Sequence, residues 1–269
     1  MLAADSLYDL HSYEEAATAY EKVYFFSQNT NEKVNALFRR ADCFKSLNRN
    51  FEAYKGLIRV LQFELNDSAK CAAQYELALN LFLAKYYNDA EKFCGRNRSL
   101  PVNTNEYKKS LLLHGLALNE LNDYNAASLK FAEYNACGIY SPAEKDSLDK
   151  LVSIQYRKKN LPKLKSLRKA RRLSKCIPGA GLFYAGKPGK AILNISLQLM
   201  AVAYTGGNAY FGNYVTAATA GLFMVRSFYT GGVNQLNEIV PKVNYKRSRK
   251  FNDEFRKLYL TKIKNYHAD

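Results

Sequence analysis

Residues 13–23 read YEEAATAYEKV and residues 50–60 read NFEAYKGLIRV; the outline returns at 87–97 as YNDAEKFCGRN and at 124–134 as YNAASLKFAEY. The starting points Tyr13, Asn50, Tyr87 and Tyr124 are 37 residues apart, and a fifth stretch, LPKLKSLRKAR from Leu161, keeps the interval. A fixed period of this size is the mark of a repeat architecture. Three residues into the stretches stand Ala16, Ala53, Ala90, Ala127 and Leu164; seven in stand Tyr20, Leu57, Cys94, Phe131 and Arg168. Nine residues upstream stand Ala4, Ala41, Ala78, Gly115 and Val152, and six upstream Leu7, Phe44, Leu81, Leu118 and Gln155.

Small residues at these intervals, each with a large apolar neighbour three or four positions on, describe two antiparallel helices. The small residues sit where the axes approach, and the large ones fill the adjoining gaps. Polar turns such as Asn48-Arg49-Asn50 and Asn122-Asp123-Tyr124 join them. No run alternates apolar and polar residues as a half-buried strand would. The spacing predicts an all-α chain.

These columns resemble the tetratricopeptide family over about residues 1–175. The family's unit is 34 residues; here it is longer, no Trp opens a unit, and the closing Pro is missing. The fifth unit, with Gln155 and Arg168, reads as a degenerate cap. The resemblance implies a solenoid with an inner face lined by the first helix of each hairpin. The family's ligand-facing positions map to Phe38, Asp42 and Lys45, then Tyr75, Leu79 and Phe82, then Leu112, Leu116 and Asn119. Such an apolar groove suits a peptide or a partner protein's helix; the alternative occupant is one of the chain's own later helices.

The net charge of +16 is unevenly distributed. Residues 1–156 are near neutral, with 18 Lys/Arg against 20 Asp/Glu, whereas 157–175 hold 10 basic residues and no acid. The tail 242–269 holds nine basic residues against three acidic ones, and between the two tracts lie only Lys187, Lys190, Arg226 and Glu238. Basic clusters on either side of an apolar stretch point to anionic membrane lipids rather than to a specific nucleic acid. Arg168, Lys169, Arg171 and Arg172 in the first tract, with Lys246, Arg247, Arg249 and Lys250 in the second, are the candidate lipid-interface residues.

Between the tracts, two apolar runs, Ala191–Thr205 and Tyr214–Thr230, flank a Gly-rich tip, with aromatic residues near their ends. The expectation is a two-helix transmembrane hairpin over 176–241 and a basic helical tail over 242–269. Asn194, Ser196, Gln198 and Arg226 are costly in hydrocarbon, so a shallow interfacial hairpin and a soluble helical cap stay open. The stretch Pro178-Gly-Ala-Gly-Leu-Phe-Tyr-Ala-Gly-Lys-Pro188 resembles the opening of small two-helix membrane domains in bacterial envelope proteins, some of which carry tetratricopeptide repeats in front. Phe183 stands where such domains usually have a polar residue. The resemblance implies the bacterial cytoplasmic membrane. Basic tracts at both ends of the hairpin place the repeats on the cytoplasmic side. A first repeat that begins at Ala4, without its opening turn, leaves open a lost signal peptide and a periplasmic repeat domain.

Chemistry-bearing motifs are few. Gly181 to Lys187 matches the start of a phosphate-binding loop, but Pro188 stands where Ser or Thr must hold magnesium, and no strand precedes it. His11, His114 and His267 lie in different elements, and no nucleophile setting or metal-ligand spacing is visible. Cys43, Cys71, Cys94, Cys137 and Cys176 are odd in number and widely spaced, which reads as core thiols in a reducing compartment. No catalytic residue, metal or cofactor is called. The function expected is a non-enzymatic, membrane-anchored scaffold that binds a protein or peptide partner through its groove, in envelope assembly or secretion. The alternative is a soluble basic protein binding RNA through 157–175 and 242–264.

Overall fold

The computed structural model describes residues 1–96, 104–137 and 139–266. No strand occurs among them, and they form two compact units: Met1–Asn160 with Phe255–Asp269, and Leu161–Glu254.

In the first unit, α1 (Leu2–Asp9), α2 (Tyr13–Phe26), α3 (Thr30–Ser46), α4 (Asn50–Leu57), α5 (Asp67–Leu83), α6 (Tyr87–Arg96), α7 (Asn105–Glu120), α8 (Tyr124–Asn135) and α9 (Pro142–Gln155) follow one another. Each packs on its sequence neighbours, giving stacked helical hairpins. Side chains of Asn29, Asn66, Thr104, Asp123 and Ser141 accept from free N–H groups at helix starts. Such caps contribute about 1 kcal/mol each.

The period is also written in the backbone. His11, Asn48, Lys85 and Asn122, 37 residues apart, all have left-handed φ between 57° and 67°. The next residue in each case donates its N–H five residues back: Ser12 to Leu7, Arg49 to Phe44, Tyr86 to Leu81, Asp123 to Leu118. This is the Schellman closure of a helix, made four times. Its acceptors are the residues of the large apolar column. The left-handed position suits Asn at 48 and 122 but strains Lys85 and His11.

The small columns are buried as their spacing predicts: Ala4, Ala41 and Ala78 in one, and Ala16, Ala53, Ala90 and Ala127 in the other. In the fourth hairpin a large column residue meets the smallest partner. A Cβ added to Gly115 would lie 2.9 Å from the Phe131 ring, so the fourth hairpin needs glycine at that crossing.

At the fifth interval the pattern changes hands. The sequence reading carries the repeats to residue 175, yet Leu167–Cys176 is a helix (α10) of the second unit. A charged Arg168 cannot fill the buried slot that Leu57 and Phe131 occupy in earlier units. That place beside α8 and α9 is taken by the last part of α14 (Leu222–Tyr266), the segment the sequence reading assigned to a basic tail. Phe255, Tyr259 and Ile263 are buried with Leu148, Val152 and Phe131. The Tyr259 hydroxyl donates to Asn135 Oδ1 at 2.6 Å, and Arg256 pairs with Glu120.

The second unit starts with α10, then α11 (Ala180–Tyr184) and α12 (Pro188–Tyr210). A tight turn at Gly212 (φ +81°) leads through α13 (Tyr214–Thr216) and a π-helical turn, Ala217–Gly221, into α14. Ala170, Leu182, Ala185, Ala191, Leu236, Ile239 and Val240 form the core at its base. The Pro-Gly-Ala-Gly motif has a steric reason. A Cβ on Gly181 would meet the Ala170 carbonyl oxygen, and the Gly181 N–H donates to the buried Ser174 Oγ at 3.0 Å. Gly179 (φ +81°) starts α11 against Ile195.

Among the described residues no helix is long and apolar enough to cross a membrane. The expectation of two helices that each span is corrected on this point. Asn194, Ser196, Gln198 and the Gly206-Gly207-Asn208 end dilute α12, and the segment after the tip carries polar Thr216 and Thr219 and then Arg226.

Two outcomes test the repeat register. Ala78→Leu or Ala127→Leu should overpack a closed crossing and lower stability by about 1–3 kcal/mol, read as a fall in Tm. Lys85→Gly should relieve left-handed strain and raise stability by about 0.5–1 kcal/mol, whereas Asn48→Gly should change Tm little.

Candidate functional site

The groove positions lie on α3, α5 and α7 of the first unit. Phe38, Tyr75, Leu79 and Phe82 are half-buried against the first core, and burial pushes the Tyr75 phenol above its usual range. Lys45 bridges Asp42 at 2.7 Å and Glu76 at 2.8 Å, so this face carries a paired cluster with one carboxylate in excess. On α7 the pattern differs. Leu112 is half-buried against the second core, while Leu116 and Asn119 are buried, and Asn119 Oδ1 accepts from the Tyr156 hydroxyl at 3.0 Å. The exposed part of the predicted stripe is therefore on α3 and α5; its α7 end is covered by the chain itself.

A cleft of about 370 Å³ opens between α6, α7 and α8, lined by Cys94, Tyr107, Ser110, His114, Lys130 and Glu133. His114 Nε2 lies 3.2 Å from Glu91 Oε1, and Lys130 pairs with Glu133. Burial pushes the Cys94 thiol up to about 12, which keeps it protonated at neutral pH and a poor nucleophile. Among the described residues no three His, Cys, Asp or Glu side chains converge to hold a metal. All five cysteines are free thiols; only Cys176 is exposed.

The second unit holds fifteen Lys/Arg against three acidic residues, and it gathers all eight candidate lipid-interface residues. Arg168, Arg172 and Lys246 are exposed. Lys169 lies 5.5 Å from the centre of the Tyr184 ring, which also carries Lys165 at 4.5 Å. Arg171 donates to Asn237 Oδ1, Arg247 to the Lys163 carbonyl, and Arg249 and Lys250 lie 3.7 and 3.8 Å from Asp253 and Glu254.

Above this basic base, two side-chain amides of α12 bridge to the backbone of α14. Asn194 Nδ2 donates to the Phe228 carbonyl and Gln198 Nε2 to the Val225 carbonyl, both at 3.1 Å and across the hairpin. Thr205, Thr219 and Thr230 return their hydroxyls to carbonyls one turn back in their own helices. Glycines permit the close approach: a Cβ on Gly221 would lie 2.6 Å from Thr205 Oγ1, and one on Gly232 2.4 Å from Asn194 Nδ2. The outer surface carries Ile192, Leu193, Leu199, Met200, Leu222 and Phe223, and the tip exposes Tyr210 by 86% and Phe211 by 78%. No charged residue lies between Lys190 and Arg226. An exposed apolar surface of this extent marks an interaction site.

The sequence reading counted Asn194 and Gln198 as defects of an apolar run and did not assign them a place. The signal was present. Residues 194, 198, 201 and 205 recur at helical spacing, as do 221, 225, 228 and 232, so each set shares one face. Comparison with protein-family models, with curated proteins and with solved structures finds no match at a significant level.

Proposed function

We propose that this chain is a non-enzymatic adaptor: its second unit seats it on an anionic lipid bilayer, and its stacked hairpins, of tetratricopeptide type, recruit a protein or peptide partner. The carrying observation is the α12/α14 hairpin, with Asn194 and Gln198 turned to the seam and large apolar side chains on its outer surface, in a unit with fifteen basic and three acidic residues. Lipid tails match the apolar part of the outer surface, which carries one exposed charge, Arg226, while the basic base matches phosphate headgroups at about 1 kcal/mol per Lys or Arg. The resemblance at Pro178–Pro188 supports a bacterial envelope setting. The basic tracts at both ends of the hairpin support repeats on the cytoplasmic side. For the partner, the half-buried Phe38, Tyr75, Leu79 and Phe82 offer apolar anchors beside the ion-pair cluster of Lys45, Asp42 and Glu76.

Vesicle flotation tests the lipid part. Binding to phosphatidylcholine vesicles containing phosphatidylglycerol should exceed binding to phosphatidylcholine alone. Changing Arg168, Lys169, Arg172 and Lys246 to Gln should remove most of that difference. Equal flotation of both proteins on both vesicles would remove anionic lipid from the reading. Co-purification in mild detergent tests the groove. Tyr75→Arg with Leu79→Arg should abolish recovery of the partners held by the unsubstituted chain, with helicity by circular dichroism unchanged. The same partners on both proteins would move the contact off α5.

A further inference from the structure

We infer that the α12/α14 hairpin enters lipid as a closed pair, held shut by Asn194 and Gln198 as positioning residues, and never as two separate helices. The inference rests on the bilayer reading above and deepens it by naming what the acyl chains meet. A single α12 in hydrocarbon would present the Asn194 and Gln198 amides to lipid, and each unpaired polar group there costs several kcal/mol. Paired with α14, the N–H groups of both amides donate to backbone carbonyls, Phe228 and Val225, at 3.1 Å, and Gln198 Oε1 is the amide atom left buried without a partner.

Those carbonyls are available because they lie at the seam where glycine and small residues bring the backbones together. Gly232 admits the Asn194 amide, and Gly221 admits Thr205. Ala191 and Ala201, fully buried, continue the same face of α12. Transmembrane helix contacts use the same device, small residues for close approach and amides for cross-bonds. The failure of either helix to qualify as a span on its own follows from this arrangement. Hydropathy weighs every residue of a helix equally, but lipid meets only the outer face of a pair. From Ala191 to Tyr210 the helix rises about 30 Å at 1.5 Å per residue, close to the thickness of a bilayer's hydrocarbon core.

The occupant of the outer face is the lipid acyl chain, and charge complementarity argues for it: the hairpin, with Arg226 as the one charge between Lys190 and Glu238, rises from a unit otherwise dense in Lys and Arg. A second copy of the chain on that face would leave the basic base without a counter-charge.

The full chain tests the inference by locking the hairpin. An added Cβ at Gly221 would lie 3.0 Å from Thr205 Cβ, so a small separation brings Thr205→Cys and Gly221→Cys into disulfide range. Cys176→Ser removes the exposed thiol. The chain has no Trp, so Leu199→Trp on the outer face supplies a single indole. Its quenching by brominated acyl chains, in phosphatidylcholine–phosphatidylglycerol vesicles, reports insertion. Equal quenching of the oxidised and reduced forms is the expected result. Quenching of the reduced form alone would overturn the closed pair. Absence of quenching in Leu199→Trp without the cysteine pair would overturn the bilayer reading itself, and the inference with it.

Gly232→Leu gives an independent arm, because it wedges the seam at Asn194. It should cut quenching several-fold while circular dichroism shows the repeats intact; unchanged quenching would overturn the inference. Should the cysteine pair prevent folding, this arm decides alone.

Discussion

The contact between Gly115 and Phe131 sets the terms for the rest of the first unit. A ring of that size at a helix crossing requires a partner with no side chain, and Gly115 supplies it. On its other side the same ring lies 4.6 Å from the Tyr259 ring and 5.2 Å from that of Phe255, measured between centroids. Phe131 thus ends the regular stack and starts its closure. Earlier hairpins have Tyr20, Leu57 and Cys94 at this position and are followed by another hairpin in the chain. After Phe131 and α9 the next helix in sequence is too basic to follow, and an apolar segment from α14 covers the face instead.

The repeat part was legible because its determinants are local. Small and large columns, the Asn-rich turns and the polar helix starts can each be read within one 37-residue unit. Left-handed Lys85 and His11 could not be read from residue type, since neither favours that conformation, yet their place in the period marks them. The covering of α9 was not legible, because it depends on a contact between Phe131 and residues 255–263, far along the chain. Periodicity carries no information about which distant segment fills an empty slot. The groove suffered from the same limit. Phe38 and Tyr75 stay at a surface, while Asn119 is taken by Tyr156, a residue that lies outside the repeat columns.

In the second unit the difficulty was of another kind. The hydrophobic runs, their aromatic ends and the flanking basic tracts were all visible, but a linear count of apolar residues cannot tell inner from outer faces. Asn194 and Gln198 count against an apolar helix when summed along the sequence, and become its internal fastening when the two helices are seen together. The glycines do the opposite. Gly221 and Gly232 look like weak points of a helix, and in the hairpin they make room for Thr205 and for the Asn194 amide that bonds an α14 carbonyl.

The route by which α9 obtains its covering has a consequence for synthesis. Everything from Leu161 to Glu254 leaves the ribosome between α9 and the helical segment that buries Leu148, Val152 and Phe131. At ordinary elongation rates that interval is on the order of ten seconds. Throughout it the nascent stack ends in an uncovered apolar face while a second apolar surface, the hairpin, is also emerging. Nascent chains in that condition are aggregation-prone, and for the first face the exposure ends only when the last residues of α14 have been made and cover it.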